Sequence, residues 1–258
     1  MEAKLISNRF QDKTVAELVT EDYRKAQVFK KFGIDFCCGG KKSVAAACEA
    51  KGVDVQVLAQ ELIAVEQRGT PSNGHKFQAW EIDFLADYIV NEHHHYVREN
   101  LPLLLEFTQK VARVHGERHP ETVQVAGLFL ETARELDQHL AKEEHILFPY
   151  MKRLQAAAKS GQPFTRPPFQ SAENPIRMME EEHDHAGSLM KQIRQLTGDF
   201  TPPPDACNTY RVTYFKLQEF EDDLHRHIHL ENNILFPKTL ELERQLMQED
   251  SGKTVVSK

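Results

Sequence analysis

Long apolar runs are missing from this 258-residue chain. No window approaches the ~20 consecutive apolar residues that a bilayer-spanning helix needs, so no membrane span and no membrane partner are expected. An excess of positive charge is missing too. The 32 Lys and Arg against 39 Asp and Glu leave a formal charge of −7, which offers no basic surface for tracking phosphates and excludes a nucleic-acid partner. The four cysteines, Cys37, Cys38, Cys48 and Cys207, are too few and too irregularly spaced for a secreted disulfide framework. The start MEAKLISNRFQDK lacks the apolar stretch of a signal peptide, so the expected location is the cytoplasm. With 12 Gly and 12 Pro, collagenous and wholly disordered chains are excluded as well. Alternating runs and Val/Ile/Thr clusters are scarce, which argues against strands.

What remains is helical periodicity and histidine. The pattern predicts an all-α protein. A small helical unit over residues 1–65 opens with a capping box from Thr14 to Glu17, carries a helix through VFKKF ended by Gly33, turns at DFCCGGKKS, and continues in a helix from Ser43 through Cys48. Residues 66–76, EQRGTPSNGHK, read as a linker. Residues 77–248 hold four long helices, near 77–114, 121–158, 174–197 and 205–248, and 249–258 form a tail. Four helices with short connections predict an up-down bundle. Asn174 and Pro175 are the expected cap and first-turn proline of the third helix, while Pro149 and Pro237 are expected to kink or interrupt the second and fourth.

Ten of the 13 histidines fall in four short windows, 91–96, 139–145, 182–185 and 224–231. Two of these windows repeat each other. HLAKEEHILFP (139–149) and HIHLENNILFP (227–237) each hold His, Glu four residues on, then Ile-Leu-Phe-Pro, 88 residues apart. His94 precedes His139 by 45 residues and His183 precedes His227 by 44, so the bundle reads as a doubled helical hairpin with two equivalent ligand sets and two metals. Four residues turn about 400° and climb about 6 Å, which puts His139 with Glu143, and His227 with Glu231, on one face. Both pairs lie in the apolar stripe, flanked by Leu136, Leu140 and Leu147 or by Leu224, Ile228 and Leu235. An inward carboxylate without a partner costs several kcal/mol, so Glu beside an inward His calls for a cation. A solvated face would not repeat on the stripe.

His183 shares a stripe with Ile176, Met179, Met190 and Ile193, whereas His185 lies off it. His225 and His229 align with Asp137 and Ala141 in the other copy and are set aside as supporting or surface residues. Among His93, His94 and His95 periodicity leaves the choice open. Mixed nitrogen and oxygen donors suit iron, with zinc or manganese also compatible.

With HLAKEEHILFP, EEEHDHAG, TPPPDAC, HIHLENNILFP and FGIDFCCGGKKS in hand, the chain resembles the repair-of-iron-centres family of ScdA/YtfE type, over nearly its whole length and in the right order. The resemblance implies a hemerythrin-like four-helix bundle behind a small ScdA-type N-terminal domain, in a cytoplasmic, stress-induced homodimer. It implies two non-haem irons per chain, oxo- or hydroxo-bridged, held by His94, His139, Glu143, His183, His227 and Glu231, with the two Glu as bridges. His94 is singled out by its place eight residues before Pro102. Glu135 and Glu182 match acidic positions that guide iron or protons. The implied function is repair of iron–sulfur clusters damaged by nitric oxide or oxidants, by iron donation to damaged iron–sulfur proteins. Reduction of nitric oxide to nitrous oxide, or sensing of O2 or redox state, are the alternatives. Gly187 stands where oxygen-carrying hemerythrins have a further His, which leaves metal positions open. Cys37 and Cys38 are expected to form an exposed redox or iron-relay pair at the Gly39-Gly40 turn. Cys48 is expected in the core, and Cys207 is expected to be inert.

Overall fold

The computed structural model describes residues 9–68, 77–161 and 167–255. Most of the expected linker, residues 69–76, and the end of the expected tail, 256–258, lie outside the described residues. Among these residues there is no strand, only an isolated bridge between Thr14 and Ser43. The chain divides into two compact units, residues 1–80 with 228–237, and residues 81–227 with 238–258.

The first unit holds α1 (Val15–Glu21), α2 (Lys25–Lys31), α3 (Val44–Lys51) and α4 (Val55–Gln67). Thr14 and Glu17 form the expected reciprocal capping box at the start of α1. Ser43 caps α3 through the backbone N–H of Ala46, and Asp54 caps α4 through that of Gln56. Gly33 and Gly52 take φ of 64°, the left-handed conformation that lets α2 and α3 end abruptly. Phe10, Val15, Leu18, Phe29, Cys48, Leu58 and Leu62 fill the core.

From residue 81 on the chain forms four helical rods, with the stretch 228–237 of the fourth counted in the first unit. The first runs through α5 (Ile82–Ile89), a π turn π1 (Val90–His94) and α6 (His95–His115). The second runs through α7 (Glu121–Lys142), π2 (Glu143–Leu147) and α8 (Phe148–Ser160). The third is α9 (Glu173–Leu196), and the fourth runs through α10 (Asn208–Leu230), π3 (Glu231–Leu235) and α11 (Phe236–Val255). Helix α7 packs between α6 and α9, and α5 packs on α8. Leu85, Ile89, Val97, Leu104, Phe129, Leu136, Leu140, Met190, Leu217, Phe220 and Leu224 are buried along the bundle. This is the predicted all-α four-helix architecture.

One local expectation is met and another is corrected. Pro149 and Pro237 stand where an interruption was expected: the α-helix gives way to a π turn that ends at Leu147 and at Leu235, and each proline is the second residue of the helix that resumes. Asn174 is not the cap of α9. The helix starts one residue earlier, the Ser171 hydroxyl accepts from the Glu173 N–H, and the buried Glu243 carboxylate accepts from the Ala172 N–H at 2.9 Å. A carboxylate brought from α11 satisfies the helix start that local sequence was expected to cap.

Candidate metal centre

Six side chains converge inside the bundle. His94, His139, Glu143, His183, His227 and Glu231 are each 2% exposed or less. Their ligand atoms form two groups, His94, Glu143, His227 and Glu231 in one and His139, Glu143, His183 and Glu231 in the other, with all atoms of a group within 4.8 Å of one another. The two groups share both carboxylates. Each also takes one His from each half of the duplicated sequence, so neither hairpin supplies a complete set by itself. Three of the four rods carry a π turn at this level, with His94 in π1, Glu143 opening π2 and Glu231 opening π3. Such turns are rare and collect at functional sites.

Hydrogen bonds around the site fix the imidazoles. His94 Nδ1 donates to Glu144 Oε1 at 2.7 Å, and Arg98 Nη1 lies 2.7 Å from the same oxygen. His139 Nδ1 donates to Glu182 Oε2 at 2.8 Å, and Lys142 pairs with the other Glu182 oxygen. The His139 hydrogen bond, followed by Lys142, holds the Glu182 carboxyl down at about 2. Glu144 is likewise lowered, against the pull of its own partial burial, by Arg98 and His94. A carboxylate can only accept, so both rings carry their proton on Nδ1 and present a lone pair at Nε2. Those lone pairs face other electron-rich atoms. His94 Nε2 and His139 Nε2 lie 3.3 and 3.4 Å from Glu143 Oε2, and His139 Nε2 lies 3.0 Å from His183 Nε2. Neither Glu143 oxygen receives a hydrogen bond although the residue is wholly buried. Lone pairs and a carboxylate aimed at one another in a dry interior repel unless cations stand between them, so this donor set fits metal ions. Imidazole with carboxylate is a set that suits iron.

Sequence reasoning missed Glu144. It follows Glu143 directly and lies off the apolar stripe, so periodicity assigns it to solvent; only its place one residue from a ligand hints at its use. Glu182 was marked, and it orients His139. Glu135 stands elsewhere. Its carboxylate meets His185 at 3.3 Å beside Glu131, three half-exposed side chains on the surface of α7 and α9. His93 is buried next to His94 but donates to Asp223 at 2.8 Å and belongs to neither group. His229, set aside from the sequence, is 1% exposed and lies within the first unit, hydrogen-bonded to Asn233 at 3.0 Å and packed on Tyr23 and Phe36.

The cysteine pair is less open than its Gly-Gly turn suggests. Cys37 is buried and only Cys38 is partly exposed. Asp35 Oδ1 accepts from both backbone N–H groups, and the Cys37 thiol also lies on it at 3.2 Å. The Cys38 thiol, then burial and Asp35, push the Cys37 thiol well above its ordinary range. The turn is tight because Gly40 admits no side chain: a Cβ there would meet the Phe36 carbonyl oxygen at 2.6 Å. Asp35, Cys37 and Cys38 nonetheless present their ligand atoms within 4.8 Å of one another. Cys48 is in the core as expected, whereas Cys207 is exposed with its sulfur 3.2 Å from His115 Nε2.

A bundle that gathers His and Glu from four rods at one level is a hemerythrin-type cation-binding domain, and residues 85–239 match the family model described as the hemerythrin HHE cation binding domain. Residues 11–66 match a second model, ScdA_N, a domain of unknown function. The chain is 35% identical over 231 residues to a probable iron-sulfur cluster repair protein of Haemophilus influenzae, covering 90% of this chain and 98% of that one. It is 36% identical, with the same coverage, to the iron-sulfur cluster repair protein YtfE of Yersinia pestis and to that of Citrobacter koseri. The chain belongs to the family these proteins form.

Proposed function

We propose that the chain holds two iron ions at this centre and serves in the repair of damaged iron–sulfur clusters by giving up iron to them. The observation that carries the metal is Glu143, a carboxylate wholly buried among imidazole lone pairs with no hydrogen bond to either oxygen. His94 and His227 would hold one ion, His139 and His183 the other, and Glu143 and Glu231, common to both groups, would bridge them. The relatives named as repair proteins support the biological role. Iron held there would keep open positions for small molecules or for transfer, because Gly187 supplies no further ligand.

The chain's own residues do the rest. Glu144 and Glu182 hold His94 and His139 in the Nδ1–H tautomer, so that Nε2 is available without loss of a proton. Leu136, Leu140 and Leu147 are buried on the same helical rod as His139 and Glu143, and Phe148 stacks on His94. Glu135 lies outside the holding set in this reading. Cys37 and Cys38 we assign to the redox or relay step, with Cys38 as the accessible thiol. The setting is the cytoplasm under nitrosative or oxidative stress.

An anaerobic sample of reduced, iron-loaded protein mixed with an apo iron–sulfur protein tests the reading. Transfer of iron and regain of the acceptor's cluster upon adding sulfide are expected. Retention of all iron by the donor, with nitrous oxide produced from nitric oxide over many turnovers, would replace donation by catalysis. The thiol assignment is tested by replacing Cys37 and Cys38 together with Ser. Iron content should hold and repair should fall; full repair by that variant would make the turn structural.

A further inference from the structure

The phrase NEHHHY supplies one more buried imidazole than the two metal groups use. His93 is 3% exposed, its ring parallel to that of His227 with centroids 5.6 Å apart and planes 4° apart, and Tyr88 packs edge-on against it. Its Nδ1 donates to Asp223 Oδ1 at 2.8 Å. The proton is therefore on Nδ1, and Nε2 carries a lone pair. That Nε2 is buried and has no hydrogen-bond partner. The wiring is the same as in His94 with Glu144 and His139 with Glu182, whose Nε2 atoms both belong to the metal groups. A carboxylate-oriented imidazole with an idle nitrogen, stacked on a metal-holding imidazole, has the construction of a ligand and no ion assigned to it.

We propose that His93 is a hand-off ligand, which takes iron as it leaves the His94–His227 group and before it reaches an acceptor; this rests on the reading that the two groups hold iron. His227 packs on both rings, at 4.9 Å from His94 and 5.6 Å from His93 between centroids, so the exchange is between two imidazoles that share one neighbouring ring. In the step an iron–nitrogen bond to the resident group breaks as one to His93 Nε2 forms. No electron moves, and no proton is displaced because Nε2 carries none. Asp223 is the positioning residue: it sets the tautomer on which the exchange depends.

Release of iron from the full-length, anaerobically reduced, iron-loaded protein to excess ferrozine, followed by stopped flow, tests this. Two phases are expected in the wild type, one for each group. His93→Gln should leave iron content and the absorption spectrum unchanged and slow the faster phase by about 10–100-fold, the range typical for groups that support a metal site. Asp223→Asn should do the same while keeping ring and packing, since an amide N–H facing Nδ1 moves the proton to Nε2 and covers the lone pair. It also serves if the Gln variant fails to fold. Unchanged release in an iron-replete Asp223→Asn protein would overturn the proposal. So would loss of resident iron from both variants, which would make His93 part of the holding set. A wild type that binds no iron would overturn the underlying reading instead, and the hand-off with it.

Discussion

Removing the metal should destabilise the bundle, and neutralising Glu143 should reverse sign between the loaded and empty states. A site that binds only the folded chain contributes about 2.7 kcal/mol when free metal stands at a hundred times the dissociation constant, so two such ions contribute roughly 5 kcal/mol. For a domain of this size, each kcal/mol moves the thermal midpoint by about 2–4 °C, so chelation should lower it by roughly 10–20 °C. Glu143→Gln removes a bridge and should lower the loaded midpoint. In the empty protein the same substitution removes a buried carboxylate that faces the lone pairs of His94 and His139 at 3.3 and 3.4 Å, and it supplies an amide N–H that can meet one of them. The empty variant should therefore melt above the empty wild type. Circular dichroism at 222 nm on as-isolated, chelated and reloaded samples of both proteins decides the matter. An unchanged midpoint on chelation, or a Gln variant that melts lower in both states, would refute the claim that cations hold these groups together.

Three further outcomes are expected. Glu144→Gln or Glu182→Gln should weaken iron affinity about 10–100-fold while leaving the fold intact, by isothermal titration against a competing chelator, because a neutral amide accepts more weakly than the carboxylate and can turn its N–H to the imidazole instead. Glu243→Leu should lower stability by roughly 2–4 kcal/mol in urea titration, since it strands the Ala172 N–H, the Ser171 hydroxyl and the Tyr150 hydroxyl together; a loss under 1 kcal/mol would show that water replaces the carboxylate. Gly40→Ala should disrupt the first unit, seen as earlier hydrogen exchange at the Ala16 amide, which donates to the Gly40 carbonyl at 2.8 Å, because the added Cβ collides with backbone rather than with a side chain that can move.

The clustering of these His and Glu residues was legible because the chain repeats them. HLAKEEHILFP and HIHLENNILFP place His and Glu one turn apart on an apolar stripe twice over, and the stripe alone says that they point inward. Long-range pairing was not legible. That His94 shares a group with His227, and His139 with His183, depends on which rods face each other, and no local spacing encodes it. Partners contributed from another rod escaped for the same reason: Glu243 reaching Ala172, Asp223 reaching His93, and Glu144 reaching His94 join residues 71, 130 and 50 positions apart. Asn174 looked like a cap on local grounds and lost to Ser171 and a distant carboxylate.

The choice between His93 and His94 stayed open for a different reason. A strict 3.6-residue period places neighbours about 100° apart, so one of them should leave the core. Both are buried, at 3% and 0% exposure, because the turn from Val90 to His94 is a π turn whose hydrogen bonds span five residues. The wider turn lets two consecutive imidazoles face inward, one into a metal group and one onto His227. The same device explains the Ile-Leu-Phe-Pro phrases, which mark where the α-helix, interrupted by π2 and π3, resumes. The three π turns are not shared evenly between the two groups. His94 sits in π1, whereas His139 and His227 each lead one turn later into a π turn, π2 and π3, and His183 lies in regular helix in α9. Only π1 distinguishes the two groups, and the idle His93 stands in that same turn beside His94.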